Sequence, residues 1–452
     1  MKRIRGSSGR VRALALAALV LLCSCATRPQ AQVPPAESQP PAMPADSGAR
    51  LADLDYLLRE LPRRHPAFRE KTPEARAIVS RFDAAAAELR AALPGMRADE
   101  ALAGFARLLA SLGDGHTSLV IPAYSLLPID LYDFEEGLYV TAAPREHAEL
   151  LGKRLVAIDG APIAEIRAAM AAVISHDNEA ALSGQFRYRL VLPELLSGLG
   201  FIPEGATSAR LTVEDGAGKR SVIDLPFAVW AEGKAQPDML GLSFEGQLPL
   251  CRTRTREPYW CALAPGTKTL YLAYNSCREN PKRPMKDFQK EVAAYLESGK
   301  VDRVLVDLRN NGGGASGLFW SMERLLSRYA NHPGTGRAAI TVYVGIGRKT
   351  FSSAILNAVE LRQGGGIPLL SPSSKAIFIG EPTGGRPNHY GDVRSFCLPN
   401  SGLRVQHSTK HFRMWKDDAA DTLAPDISVP VTWADFAAGR DPLLNAVIAA
   451  GR

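Results

Sequence analysis

Apolar residues recur at three- and four-residue spacing over Leu51–Leu61, Pro73–Leu93 and Asp99–Leu112, which predicts three amphipathic helices. Asp53 and Thr72 are candidate start signals, because a short polar side chain can accept from the N–H groups left open at a helix start. The third helix runs into Gly113-Asp-Gly-His-Thr117. Between about 125 and 235 the period shortens to that of strands, as in Gly137–Thr141, Arg154–Ile158 and Ala209–Val213. Turns are marked by Asp159-Gly160 and Asp215-Gly216, and Ala164–Ile174 reads as a helix among them. From about 265, strand-like runs (Thr269–Ala273, Arg303–Asp307, Ile340–Ile346, Ala376–Ile379) alternate with helical stretches near 284–297, 317–329 and after Ser353. That order predicts α/β layering. No internal repeat interrupts it.

The amino-terminal end follows another pattern. Lys2, Arg3, Arg5, Arg10 and Arg12 precede the apolar run Ala13–Leu22, too short to span a bilayer comfortably, which is the form of a secretory signal. Leu22-Cys23-Ser24-Cys25 resembles a bacterial lipobox with Cys25 as the lipidated residue, and Ala26 lacks the aspartate of inner-membrane retention. The expectation is a signal over 1–24 and a lipid anchor in the outer membrane facing the periplasm. Residues 25–49, rich in Pro, Ala, Gln and Ser, read as a flexible tether. Taking the five leading cations from the net charge of +7 leaves +2, so the basic pI gives no support to nucleic-acid binding. Cys251 and Cys261 flank a loop or hairpin and could pair in an oxidising compartment. No cysteine spacing suggests a metal.

Candidate chemistry gathers at two junctions. Val342–Ala354 is a strand running into Ser352-Ser353 at the start of a helix, where open N–H groups and the helix dipole stabilise negative charge. By itself that is more often an N-cap than a nucleophile. Arg303–Ala315 is a buried strand ending in Asn310-Asn-Gly-Gly-Gly314, a loop whose glycines let the backbone approach a ligand. It matches neither a phosphate-binding loop nor a dinucleotide fingerprint.

Taken together, Leu112-Gly-Asp-Gly-His-Thr117, Val306-Asp-Leu-Arg-Asn-Asn-Gly-Gly313, Thr350-Phe-Ser-Ser-Ala354 and Gly380-Glu-Pro-Thr-Gly-Gly385 resemble, in order, the tail-specific (carboxyl-terminal processing, S41) serine peptidases. The resemblance covers roughly 50–445. It implies a crotonase-like α/β core of ββα superhelix type over 236–452, a helical region over 50–124 and a PDZ-like or cap domain over 125–235. Within the last, Gly152–Pro162 resembles part of a PDZ module, and Gly198-Leu-Gly-Phe201 looks like a carboxylate-binding loop out of order. The family pattern implies Ser353 as nucleophile, with an oxyanion hole from the N–H groups of Ala354 and Gly312 or Gly313. No cofactor is implied, and the expected partner is a protein or peptide substrate.

The family's lysine base is replaced by Arg386, whose guanidinium effectively never deprotonates. His116 is therefore the expected base, its imidazole suited to proton transfer at neutral pH, in a setting that resembles the tricorn-like Ser-His branch. Gly115 replaces the serine that precedes the histidine there. Asp114, Asp418 and Asp421 are possible orienting acids, Arg386 could contact substrate or a structural acid, and His389 is a rival base. A catalytically silent peptide- or hydrophobic-ligand-binding protein on the same scaffold is the alternative.

Overall fold

The computed structural model describes residues 41–229, 237–244, 247–331, 339–363 and 376–450. The predicted signal, Cys25 and most of the tether lie outside them. Three helices, Ser47–Arg64, Pro73–Ala92 and Ala98–Ala110, open the described chain. Thr72 caps the second by accepting from Ala75 N–H, as its sequence position predicts. The first begins ahead of Leu51 and is capped by Asp46. Asp53 is instead fully buried and accepts the backbone N–H groups of Asn400 and Ser401, clamping this helix to a distant turn. The end of the expected tether is engaged as well: Ala42 N–H donates to Ser401, and Arg50 donates to Pro44 and Met96 carbonyls.

The middle region is a twisted antiparallel sheet in the order Met239–Gly241, Gly137–Pro144, Arg154–Ile158, Ser208–Glu214, Arg220–Pro226, with Asp130–Phe134 also pairing to the second of these. Helix Ile163–Ala171 was legible; Glu179–Arg189 and Pro193–Gly198 were not. The last packs on Ala98–Ala110 so closely that a Cβ on Gly198 would lie 2.3 Å from Asp99 O. Residues 198–201 thus end a packed helix.

The carboxyl-terminal half holds a six-stranded sheet in the order Tyr259–Leu263, Thr269–Tyr274, Arg303–Asp307, Thr341–Ile346, Ile377–Gly380, Ile427–Ser428, with every pair after the first parallel. Both faces are covered, which is why these strands read as continuous apolar runs. Val304, Val306 and Val344 face Phe288, Met322 and Ala358 of the helices Met285–Glu297, Trp320–Asn331 and Ser353–Arg362. Tyr271, Leu305 and Tyr343 face Leu443, Leu444 and Val447 of the terminal helix Pro442–Ala449.

That two-sided packing removes the expected disulfide. Cys251 and Cys261 are free thiols. Strand alternation places Cys261 in the cluster with Leu272 and Val306, while Cys251 packs on the opposite face with Trp260 and Leu443.

One pairing sets up the site. Strand Ser118–Val120 pairs antiparallel with Arg404–His407, drawing the Asp-Gly-His-Thr segment from the helical region onto the carboxyl-terminal half. It lands beside the loops that leave the carboxyl ends of the parallel strands, where α/β sheets commonly place ligands.

Candidate active site

The segment Thr341–Ile346 leaves the sheet, turns through Gly347–Phe351 and enters helix Ser353–Arg362. Thr350 fastens this turn: its hydroxyl donates to Leu308 O at 2.9 Å and accepts from Gly347 N–H. Phe351 N–H donates to Asn311 O, so the turn and the glycine loop are held as one unit. Asn311 is fully buried; its Nδ2 donates to Tyr274 O and its Oδ1 accepts Gly313 N–H.

Ser352 sits at the sharpest point of the turn with φ 55° and ψ −129°. Backbone strain of this kind costs a β-carbon-bearing residue on the order of 1–3 kcal/mol and persists only where surroundings impose it. A serine on a strained strand-to-helix turn is the arrangement that exposes a nucleophile. The partner surface is Gly313, at φ 105°, where a Cβ would stand 2.6 Å from Ser352 Cβ. Gly314, at φ 134°, passes so close to Cys277 that a Cβ would lie 2.3 Å from its carbonyl oxygen.

This geometry changes the role expected of Ser353. Its side chain belongs to the first turn of the helix, and its Oγ donates to Gly314 O at 2.6 Å, fastening the helix to the glycine loop. Ser352 Oγ makes no such bond among the described residues. The oxyanion donors shift likewise. Ala354 N–H is taken by Phe351 O, and Gly313 N–H by Asn311 Oδ1. Of the expected donors, Gly312 keeps its N–H free of a backbone partner among the described residues, and Ser353 N–H, which follows the strained serine, is open in the same way.

His116 is brought to this turn. It is 2 % exposed, and its ring stacks on Phe351 at 4.3 Å between centroids and on His389 at 5.5 Å. Neither ring nitrogen has a hydrogen-bond partner among the described residues, so no bond joins it to either serine. His389 donates from Nδ1 to Arg386 O. Burial, followed by the charge of His116, pushes its pKa down to about 3, so it stays neutral and is a poor base at neutral pH.

Asp114 holds the loop rather than the His116 ring. Its carboxylate accepts from His65 Nε2 at 3.0 Å, Thr117 Oγ1 at 2.6 Å, Ser408 Oγ at 2.6 Å and His116 N–H at 2.9 Å. His116 Nδ1 stands 3.7 Å from it, an electrostatic contact beyond hydrogen-bond length. Burial would raise the Asp114 pKa, but the neighbouring His116 and His65 hold it well below the usual carboxylate range. Asp421 is drawn away: it pairs with Arg386 Nε at 2.9 Å near the surface. Asp418 accepts from Asn388.

A further acid beside this loop is Asp177, in the turn between helices Ile163–Ala171 and Glu179–Arg189. Fully enclosed, it accepts Gly115 N–H at 2.7 Å and Arg386 N–H at 3.3 Å. Burial raises its pKa, and the nearby His116 is the strongest influence in the opposite direction. No local motif marks it, since its place depends on contacts more than 60 residues apart in sequence.

A cavity of about 400 Å³ opens beside these elements and is bounded by Gly115, Gly312 and Phe351, each next to a candidate group. Among the described residues, no cluster of three or more His, Cys, Asp or Glu could hold a metal ion.

The whole is a mixed α/β fold, with a helical region leading into the carboxyl-terminal half. Mature CPAF complexed with lactacystin superposes on it with a TM-score of 0.61 at 15% identity, covering 90% of this chain and 97% of that one. Mature CPAF alone gives a TM-score of 0.58 at 16% identity, covering 87% and 94%. The photosystem II D1 C-terminal processing protease aligns over 85% of this chain and 92% of its own, at 13% identity and a TM-score of 0.37. No family model and no curated protein matches the chain.

Proposed function

We propose that this chain is a serine peptidase of the tail-specific type that acts through an acyl-enzyme at Ser352, with His116 as general base. The observation that carries this reading is the strained backbone of Ser352, at φ 55° against Gly313, with the open N–H groups of Ser353 and Gly312 close by. In the proposed cycle, Ser352 Oγ attacks the peptide carbonyl carbon while His116 takes the hydroxyl proton. The same imidazole returns that proton to the leaving amine, and water then releases the acyl group. Ser353 and Gly312 N–H groups would receive the oxyanion; loss of one such donor typically costs about 10²–10³ in rate.

The His116 ring nitrogens have no hydrogen-bond partner among the described residues, so the bond to Ser352 would close when substrate arrives, as catalytic hydrogen bonds often do. Asp177 would stabilise the imidazolium that forms: each charge offsets the cost of burying the other. Attachment through a lipid on Cys25, with substrates among envelope proteins or peptides, is part of the proposal.

The test is labelling with a serine-reactive fluorophosphonate. Labelling should vanish in Ser352→Ala and persist in Ser353→Ala. Loss confined to Ser353→Ala would return the nucleophile to that residue. Failure of the wild type to label would favour a ligand-binding role, for which the missing bond between His116 and either serine is the supporting observation.

A further inference from the structure

The cavity beside Ser352 has an uneven balance of charge. Its wall carries four carboxylates, and each has an arginine of its own. Asp133 pairs with Arg167 at 2.8 Å, Glu381 with Arg348 at 2.7 Å, Asp435 with Arg440 at 2.7 Å and Asp441 with Arg309 at 2.9 Å. The cations of the same wall outnumber them. Arg187, Arg189 and Lys349 all line the cavity, and none has a carboxylate within 4 Å among the described residues; the buried Asp130 acts on Arg187 only from farther away. At the far end Arg252 is likewise without a carboxylate, donating to Phe436 O and stacking 3.6 Å from that ring's centroid.

These cations are not loose surface side chains. Arg187 donates to Leu131 O at 3.1 Å, and its guanidinium lies 4.9 Å from the Tyr132 ring centroid and 4.4 Å from that of Tyr188. Fixed in this way it loses little freedom on meeting a ligand. Burial, then the charge of Arg187, pulls the Lys349 pKa down, so two positive charges share a poorly hydrated space. Arg189 is depressed by burial alone. Enclosed charges without counter-charges are costly, and an anion entering the cavity would relieve that cost.

We propose that Lys349 and Arg187, with Arg189 of the same cavity wall, form a subsite for a substrate carboxylate. Lys349 lies three residues before Ser352 in sequence. Three residues span at most about 10 Å of chain, so the recognised carboxylate falls within a few residues of the bond cleaved. Either an acidic side chain or the free carboxyl terminus of the substrate supplies the same chemistry. The proposal rests on the peptidase reading only where cleavage is the readout.

Binding is therefore measured first, on the full protein carrying Ser352→Ala, with fluorescein-labelled alanine-rich octapeptides. One series carries a single Glu at successive positions and its match carries Gln; each is made as the free acid and as the amide. Glu over Gln at one position, or acid over amide, should be favoured by about tenfold or more, as expected for hydrogen bonds to charged groups. The first result identifies a side-chain carboxylate and the second a terminal one. The preference should fall towards parity in Lys349→Met with Arg187→Met, and Lys349→Arg should retain it. If the double variant does not fold, Lys349→Gln against Lys349→Arg makes the same comparison. Equal binding of all four peptide forms would overturn the subsite. Acid-selective binding without cleavage by the wild type would leave the subsite standing and remove the peptidase reading.

Discussion

Two glycines and two serines decide the local geometry of this site. Gly314 adopts φ 134° against the Cys277 carbonyl, where a Cβ would come within 2.3 Å of oxygen. Backbone cannot yield there as a flexible side chain would. Gly314→Ala is therefore expected to lower stability by at least about 1–3 kcal/mol and to abolish fluorophosphonate labelling together, by urea denaturation and gel fluorescence. Retained labelling at normal stability would show that the loop tolerates a side chain. Ser353 lies at the other end of the same contact, with its hydroxyl on Gly314 O. Adjacent identical residues thus divide two tasks: strain sets Ser352 apart, and a hydrogen bond makes Ser353 structural.

At the scale of elements, the Asp-Gly-His-Thr loop is held by one carboxylate. Asp114 gathers donors from helix Ser47–Arg64's C-cap residue His65, from its own loop, and from Ser408 beside strand Arg404–His407. Because its folded pKa is depressed, its contribution to stability is present above the unfolded value of about 3.9. That contribution is lost as pH falls from there through the folded value. Unfolding free energy measured by urea titration should therefore fall on acidification below about pH 4. Asp114→Asn should flatten that acid limb and weaken the protein at neutral pH. An unchanged slope would mean that other carboxylates govern acid unfolding. The same element should fix His116, so this variant should also lose labelling at Ser352.

Across the whole molecule, Arg309 joins the sheet to the end of the chain. It bonds Asp307, where its strand ends, and Asp441, which caps the terminal helix, and all three are largely withdrawn from water. Removing one partner from such a cluster strands the remaining charges, so Arg309→Met is expected to cost about 3–5 kcal/mol in urea denaturation. A cost under about 1 kcal/mol would show the terminal helix held by its apolar face alone. The three leading helices, the middle strands and the parallel-sheet strands were legible because each repeats at a helical or strand period. The glycine loop and the histidine segment stood out because unusual residue types cluster there. Helices Glu179–Arg189 and Pro193–Gly198 escaped, since their buried positions face several neighbours and leave no single apolar stripe. Sequence alone determined the layering and the four segments that meet at the site, because those depend on local period and residue chemistry. Tertiary structure decided which serine is strained, which N–H groups remain open, that Asp177 rather than Asp421 is bonded into the histidine loop through Gly115 N–H, and that Cys251 and Cys261 lie on opposite faces. Each of these depends on backbone angles and long-range contacts, which no local pattern encodes.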